Sequence, residues 1–163
     1  MTMIIDGNNG VTFPDNSVQP KSGYGPAFSV YGTGVQSLAN ITPTKINFDT
    51  KIFDTNNAFD NVTNYRFQPN VAGYYWFSGC SGINTAGTVV VDLYKNGTIF
   101  QRSPPGGNYA GALYLSGVTG ITFLNGTTDY VELYITQQTG TSGIARASGA
   151  TSTYFQGILL RGV

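Results

Sequence analysis

No stretch of the chain keeps a helical apolar period for three turns. Apolar residues instead alternate with polar ones in short runs, and turn dipeptides separate the runs. Val89, Val91 and Leu93 fall on one face of such a run, which ends at Asn96-Gly97. Ala112 to Ile121 gives another run, and Asn125-Gly126 turns the chain again. Val131, Leu133 and Ile135 then share one face, with Tyr130, Glu132 and Tyr134 on the other. Phe28 and Val30 begin the series, and Phe155, Gly157 and Leu159 end it. Short strands spaced at roughly 8–12 residues predict an all-β sandwich or jelly roll. Gln137–Ser152 is made of small and polar residues with one arginine, which predicts a surface loop with little to fix it by packing.

One run breaks the alternation. Tyr74-Tyr75-Trp76-Phe77-Ser78 is apolar on both faces, as expected of a central strand covered by the second sheet on one side and by a neighbouring subunit on the other. Charge points the same way. Only 10% of the residues are charged, against about a quarter in an ordinary globular chain. The surface must therefore be built from Asn, Thr, Ser and Gly, or be covered by other copies of the chain. Eight basic residues balance eight acidic ones, so no net field attracts nucleic acid or an anionic membrane. No apolar run is long enough for a membrane span, and the N-terminus has no signal-peptide pattern.

The same composition argues against an enzyme. There is no histidine, hence neither the commonest general base nor the commonest metal ligand. Cys80 has nothing to activate it and is expected as a core thiol. Asp129 and Glu132 are an odd number of residues apart in a strand, so they cannot act as a pair. Asp49, Asp54 and Asp60 read as solvated loop carboxylates, and no Asp-x-Asp-x-Asp spacing suggests calcium. No metal and no cofactor is expected. Gly32-Thr33-Gly34 lacks the third glycine and the following helix of a phosphate loop.

Residues 1–26 differ from the rest. Ile4, Ile5, Val11 and Phe13 flank a Gly/Asn-rich turn, and Pro14, Pro20, Gly23, Gly25 and Pro26 follow. This predicts an N-terminal arm and linker, then a head over 27–163. The arm's four apolar residues are too few for a core and are expected to bury themselves in another protein.

Phe48, Asp54, Phe59, Phe67 and Gly73-Tyr74-Tyr75-Trp76-Phe77 resemble the signature of the complement C-one-q globular head, which shares the tumour-necrosis-factor-like jelly roll. Leu93-Tyr94-Lys95-Asn96-Gly97, Asp129-Tyr130-Val131-Glu132-Leu133 and Tyr154-Phe155-Gln156-Gly157-Ile158-Leu159-Leu160 fit the later landmarks. The resemblance runs from about Ala27 to Val163. It implies a ten-strand jelly roll and a threefold homotrimer, with Tyr74, Tyr75, Trp76 and Phe77 at the trimer interface. The chain departs from the pattern by one extra residue between Phe59 and Phe67, and by Gly79 in place of an aromatic. Both departures are expected to touch the trimer-facing region. Neither a collagen-like run nor heptads provide a stalk. In the arm, Gly10-Val11-Thr12-Phe13-Pro14-Asp15-Asn16-Ser17-Val18-Gln19 is similar to a segment of phage fibre and virion-surface proteins.

Together the resemblances imply a phage virion structural protein, assembled in the host cytoplasm. Its arm would hold it to other virion proteins, and its head would serve as capsid decoration, head fibre or tail-fibre tip. The alternative is a bacterial surface or spore-coat adhesin. If the family's strand order holds, Gln68–Ala72, Asn96–Asn108 and Gln137–Ser152 share the end distant from the N-terminus. Arg102, Asn108, Tyr109 and Arg146 there are the candidate ligand-binding residues, with host surface glycan as the ligand.

Overall fold

A computed structural model describes residues 4–6, 10–14, 18–19, 25–110 and 113–163. In the arm, β1 (Ile4–Asp6), β2 (Gly10–Thr12) and β3 (Val18–Gln19) form a small antiparallel sheet, with Ile4 opposite Thr12 and Val11 opposite Gln19. Among the described residues these strands pair only with one another. The head follows with β4 (Ala27–Tyr31), β5 (Ser37–Leu38), β6 (Thr44–Lys45), β7 (Thr50–Asp54), β8 (Phe59–Asp60), β9 (Arg66–Phe67), β10 (Ala72–Ile83), β11 (Thr88–Lys95), β12 (Thr98–Arg102), β13 (Gly107–Ala110), β14 (Leu113–Asn125), β15 (Val131–Gln138), β16 (Ile144–Ala145) and β17 (Tyr154–Gly162).

The head is all β. Sheet I runs β13-β14-β10-β17-β4-β7, and sheet II runs β12-β11-β15-β9-β8 with β6 also paired to β15. Every registered pairing between their strands is antiparallel. The jelly roll expected from the sequence is therefore the architecture observed.

The alternation read from the sequence sets which residues meet between the sheets. Phe28, Val30, Tyr75, Phe77, Val89, Val91, Leu93, Val131, Leu133, Ile135 and Phe155 are all buried in one core. At its centre the Phe28 ring lies 4.4 Å from Phe67, 4.9 Å from Phe155 and 5.2 Å from Phe59. Stacked and edge-on contacts of this kind add to the hydrophobic gain of burial. Glycine makes room for the cluster. A Cβ at Gly157 would stand 2.7 Å from the Phe77 ring and 2.8 Å from the Phe28 ring. Gly79 also faces inward, where a Cβ would meet Leu133 Cδ2 at 2.5 Å. That corrects the reading of Gly79 as part of the subunit-facing surface: its missing side chain is replaced by Leu133 from the other sheet.

The two ends of the sandwich differ. At the base, Ala27 lies opposite Ile158, Ala72 opposite Asn125 and Lys95 opposite Val131. At the top, Tyr31 lies opposite Tyr154, Thr88 opposite Gln138 and Gly107 opposite Leu115. Gln68–Ala72 and Asn96-Gly97 therefore sit at the base, beside the start of the head. The expectation that they share the far end with Gln137–Ser152 is wrong.

Candidate functional site

The alternation in β10 splits the aromatic signature between two environments. Tyr75 and Phe77 point inward and are fully buried within one chain. The Tyr75 hydroxyl donates to Val71 O at 2.7 Å, and burial pushes its pKa up to about 12. Neither residue can be interface surface, because sheet II already covers both. Tyr74 and Trp76 point outward, so only this half of the expected set stays available to a neighbour.

Register places further apolar side chains beside them. Phe123 of β14 lies opposite Tyr74, with ring centroids 5.5 Å apart. Trp76 lies between Ile121 on one side and Ile158 on the other. Ile121 is 59% exposed and Leu160, on the next outward position of β17, is 54% exposed. Six apolar or aromatic side chains thus form one patch on the lower half of sheet I's outer face. Arg161, opposite Tyr74 at the end of β17, and Lys95, whose Nζ donates to Phe123 O at 2.8 Å, are charges at its rim. Above the patch the face turns polar through Ser78 and Gln156. Cys80 sits there too, half-buried on this outer face rather than in the core, and burial raises its pKa.

The candidate ligand-binding residues are not brought together. Arg146 is 2% exposed. Its guanidinium donates to Ala147 O and Gly34 O, both at 2.8 Å, and its Nε has no partner among the described residues. Burial pulls its pKa down, opposed by the charge of Asp49. The Gly32-Thr33-Gly34 segment makes this burial possible, since a Cβ at Gly32 would stand 2.7 Å from Arg146 Nη2. Arg146 is a structural cation and presents nothing to a ligand. Its loop is also held: β16 pairs with β5, Arg146 N donates to Gln36 O, Ala147 N to Gly82 O and Thr153 Oγ1 to Ala147 O. The Gln137–Ser152 segment is thus tied to the top of the head, against the expectation of a loop with little to fix it.

Arg102 lies in β12 on sheet II, not in a top loop. Its Nε and Nη2 each reach an Asp92 carboxylate oxygen at 2.9 Å, so one edge of its guanidinium is taken by that ion pair. Asn108 and Tyr109 lie in β13, the edge strand of sheet I, and their side chains are outside the described residues. In the arm, Ile4, Ile5 and Val11 lie in strands and their side chains are likewise outside the described residues, while Phe13 is exposed.

Searches against protein-family models and against curated proteins find no match. Solved structures do match. Murine APRIL at pH 5.0 aligns with a TM-score of 0.64 and 10% identity, covering 83% of this chain and 99% of that one. The Eiger TNF from S. frugiperda gives 0.59 and 10%, over 85% of this chain and 95% of that one. The fold is the TNF-like jelly roll. The PRD1 vertex protein P5 has it too, with a TM-score of 0.61, 12% identity, and coverage of 86% of this chain and 100% of that one. At such identities the likeness concerns the TNF-like fold alone.

Proposed function

We propose that this protein is a phage virion structural protein. A homotrimeric TNF-like head would be displayed on the particle, held by the N-terminal arm to other virion proteins, in contact with host surface glycan and without catalytic activity. The observation that carries the reading is the outer face of sheet I. Tyr74, Trp76, Ile121, Phe123, Ile158 and Leu160 form a contiguous apolar patch on a chain with very little charge, and such a patch needs a cover. A second copy of the same head is the cover that the family resemblance implies. The virion setting is supported by the arm's similarity to phage-fibre segments and by the likeness of the fold to a phage vertex protein.

Sedimentation equilibrium of the full chain at micromolar concentration is expected to give three chains per particle, and a stable monomer overturns the assembly. Deleting residues 1–20 is expected to leave the trimer intact and remove it from purified virions. Normal incorporation of the shortened protein overturns the role of the arm.

A further inference from the structure

A cleft of about 480 Å³ opens at the base of the head, where edge strand β7 of sheet I and β8 of sheet II part. It lies apart from the apolar patch and within one chain. Its walls come from the β7–β8 and β8–β9 connections, and Gln68–Asn70 and Gly126-Thr127 close it below. A space of this size holds one or two sugar rings.

The chemistry of the walls is uneven. Both nearby carboxylates are spent on the protein itself. Asp54 accepts from Ala58 N and Phe59 N, each at 2.9 Å, and from Lys51 Nζ at 2.7 Å. Asp60 accepts from the backbone N–H groups of Val62, Thr63 and Asn64 and from Asn64 Nδ2. Those bonds hold Asp60 far below the usual carboxylate range, so it stays ionised and turned into its own loop. Four asparagines also line the cleft, each with capacity left over among the described residues. Asn57 uses Oδ1 for Lys51 and keeps Nδ2. Asn61 uses Nδ2 for Asp49 O and keeps Oδ1. Asn64 uses Nδ2 for Asp60 and keeps Oδ1, while Asn70 is exposed. Mixed neutral donors and acceptors suit hydroxyl groups, which both donate and accept.

The two cations differ. Lys51 is paired with Asp54. Arg66 belongs to none of the ion pairs found among the described residues. Its guanidinium lies 4.2 Å over the Tyr130 ring, and Nη2 donates to Gln68 Oε1 at 2.8 Å. That leaves Nε and Nη1 without a carboxylate, in a cleft whose acids are occupied. Nη2 carries a second N–H on the other side of the guanidinium, so one edge keeps two donors, and such an edge matches an oxyanion.

We infer that this cleft binds an acidic saccharide unit, a polyhydroxylated ring carrying one carboxylate or phosphate, with Arg66 at the oxyanion and the asparagine amides at the hydroxyls. The inference rests on the glycan-contact part of the proposed function and moves that contact from the top of the head to its base. It does not depend on the trimer.

The test is NMR titration of the full-length, isotope-labelled chain with methyl glucuronoside, glucose 1-phosphate, methyl glucoside and inorganic phosphate, reading the side-chain amides of Asn57, Asn61, Asn64 and Asn70 and the Arg66 Nε–H. Both acidic sugars are expected to give saturable shifts at these groups, the tighter one identifying the oxyanion. Methyl glucoside should bind about tenfold more weakly, the worth of one charge-assisted hydrogen bond. Arg66→Gln should bring the acidic sugars down to the level of methyl glucoside with an unchanged melting temperature. Asn57→Asp, which puts a carboxylate at the cleft without touching Arg66, should weaken the acidic sugars selectively. Three results overturn the proposal: no saturable shift with any sugar, inorganic phosphate binding as tightly as the acidic sugars, or acidic and neutral sugars binding equally in both variants. Sedimentation of the same samples separates this outcome from the assembly, because a chain that is trimeric and does not bind refutes the cleft alone.

Discussion

The outward faces of the two sheets are built from the same alternating strands and end up chemically opposite. On sheet II the outward residues of β11 and β15 include Asp92, Tyr94, Glu132 and Tyr134, and each finds a partner within the chain. Arg102 clamps Asp92 through two bonds, the Tyr94 and Tyr134 rings pack with centroids 4.1 Å apart, and Lys45 reaches Glu132 at 3.1 Å. The Asp92 side chain is only 1% exposed, although it lies on the outside of the sandwich. On the lower half of sheet I the outward residues of β10, β14 and β17 are apolar, and Tyr74, Ile121, Ile158 and Leu160 stay exposed among the described residues. One face satisfies its charges internally and can meet water, whereas the other is left for a partner. A jelly roll with both faces like sheet II would be a good monomer, so the asymmetry is the part of the structure that bears on function.

Changing the bare face is expected to have the largest effect. Ile121→Lys with Ile158→Lys flanks Trp76 with two charges, and each would have to be desolvated in an apolar contact. Sedimentation should move from trimer to monomer with the circular-dichroism spectrum retained, while Tyr94→Lys on sheet II should leave the assembly intact. Next in size is the contrast between adjacent residues of β10. Phe77→Ala empties core volume and should cost about 3–5 kcal/mol whatever the protein concentration. Trp76→Ala should instead move dissociation of the trimer to higher protein concentration in sedimentation, since it touches the assembly and not the core. If both variants behave alike in a dilution series, the division of the strand into core and contact faces is wrong.

Much of this was legible in the sequence, for a physical reason. A two-residue period is enough to assign Val89, Val91, Leu93, Val131, Leu133 and Ile135 to the core, and their assignment needed no knowledge of the fold. The run Tyr74–Phe77 was harder. With every position apolar, periodicity cannot say which residues face the second sheet, and the structure divides the run evenly. Arg102 and Arg146 were misplaced because a single charged residue among polar neighbours looks solvated. The acceptors that hold Arg146, Ala147 O and Gly34 O, are backbone atoms one residue away and far along the chain, and backbone leaves no mark on composition. The base cleft escaped notice for a similar reason. Its asparagines read as turn residues, and their leftover amide atoms become visible only when each hydrogen bond is assigned.

The paired face can be probed by removing one partner. Arg102 is 58% exposed, so solvent screens its charge, but Asp92 beneath it is not exposed. Arg102→Ala should therefore cost about 1–3 kcal/mol in urea unfolding, as the penalty of a buried acceptor left without its donor. Restoring balance with Asp92→Asn in the same chain should recover part of the loss. A single variant as stable as the parent would mean that water replaces the guanidinium at Asp92, and that sheet II's face is less closed than its geometry implies.

The smallest effect expected is alkaline, and it tests the same closure from another side. Tyr134 has its pKa pushed up to about 12 from the ordinary 10.0, first by burial and then by the charge of Glu132 facing it. The folded chain holds the phenol proton that the unfolded chain gives up. The stabilisation is therefore complete below pH 10 and is lost as the pH rises through about 12. Tyr75, in the core beneath sheet I, is raised to the same value by burial and shares the window. Urea midpoints should fall across that range, and Tyr134→Phe should make the fall shallower by removing one of the tyrosines whose pKa is raised. Glu132→Gln discriminates between the causes. If burial under the Tyr94 ring dominates, phenolate absorbance in the folded state should still be delayed in this variant. If instead the titration returns to the ordinary tyrosine range, Tyr134 is wet, its charge neighbour set the shift, and the covered face of sheet II is open to water at its centre.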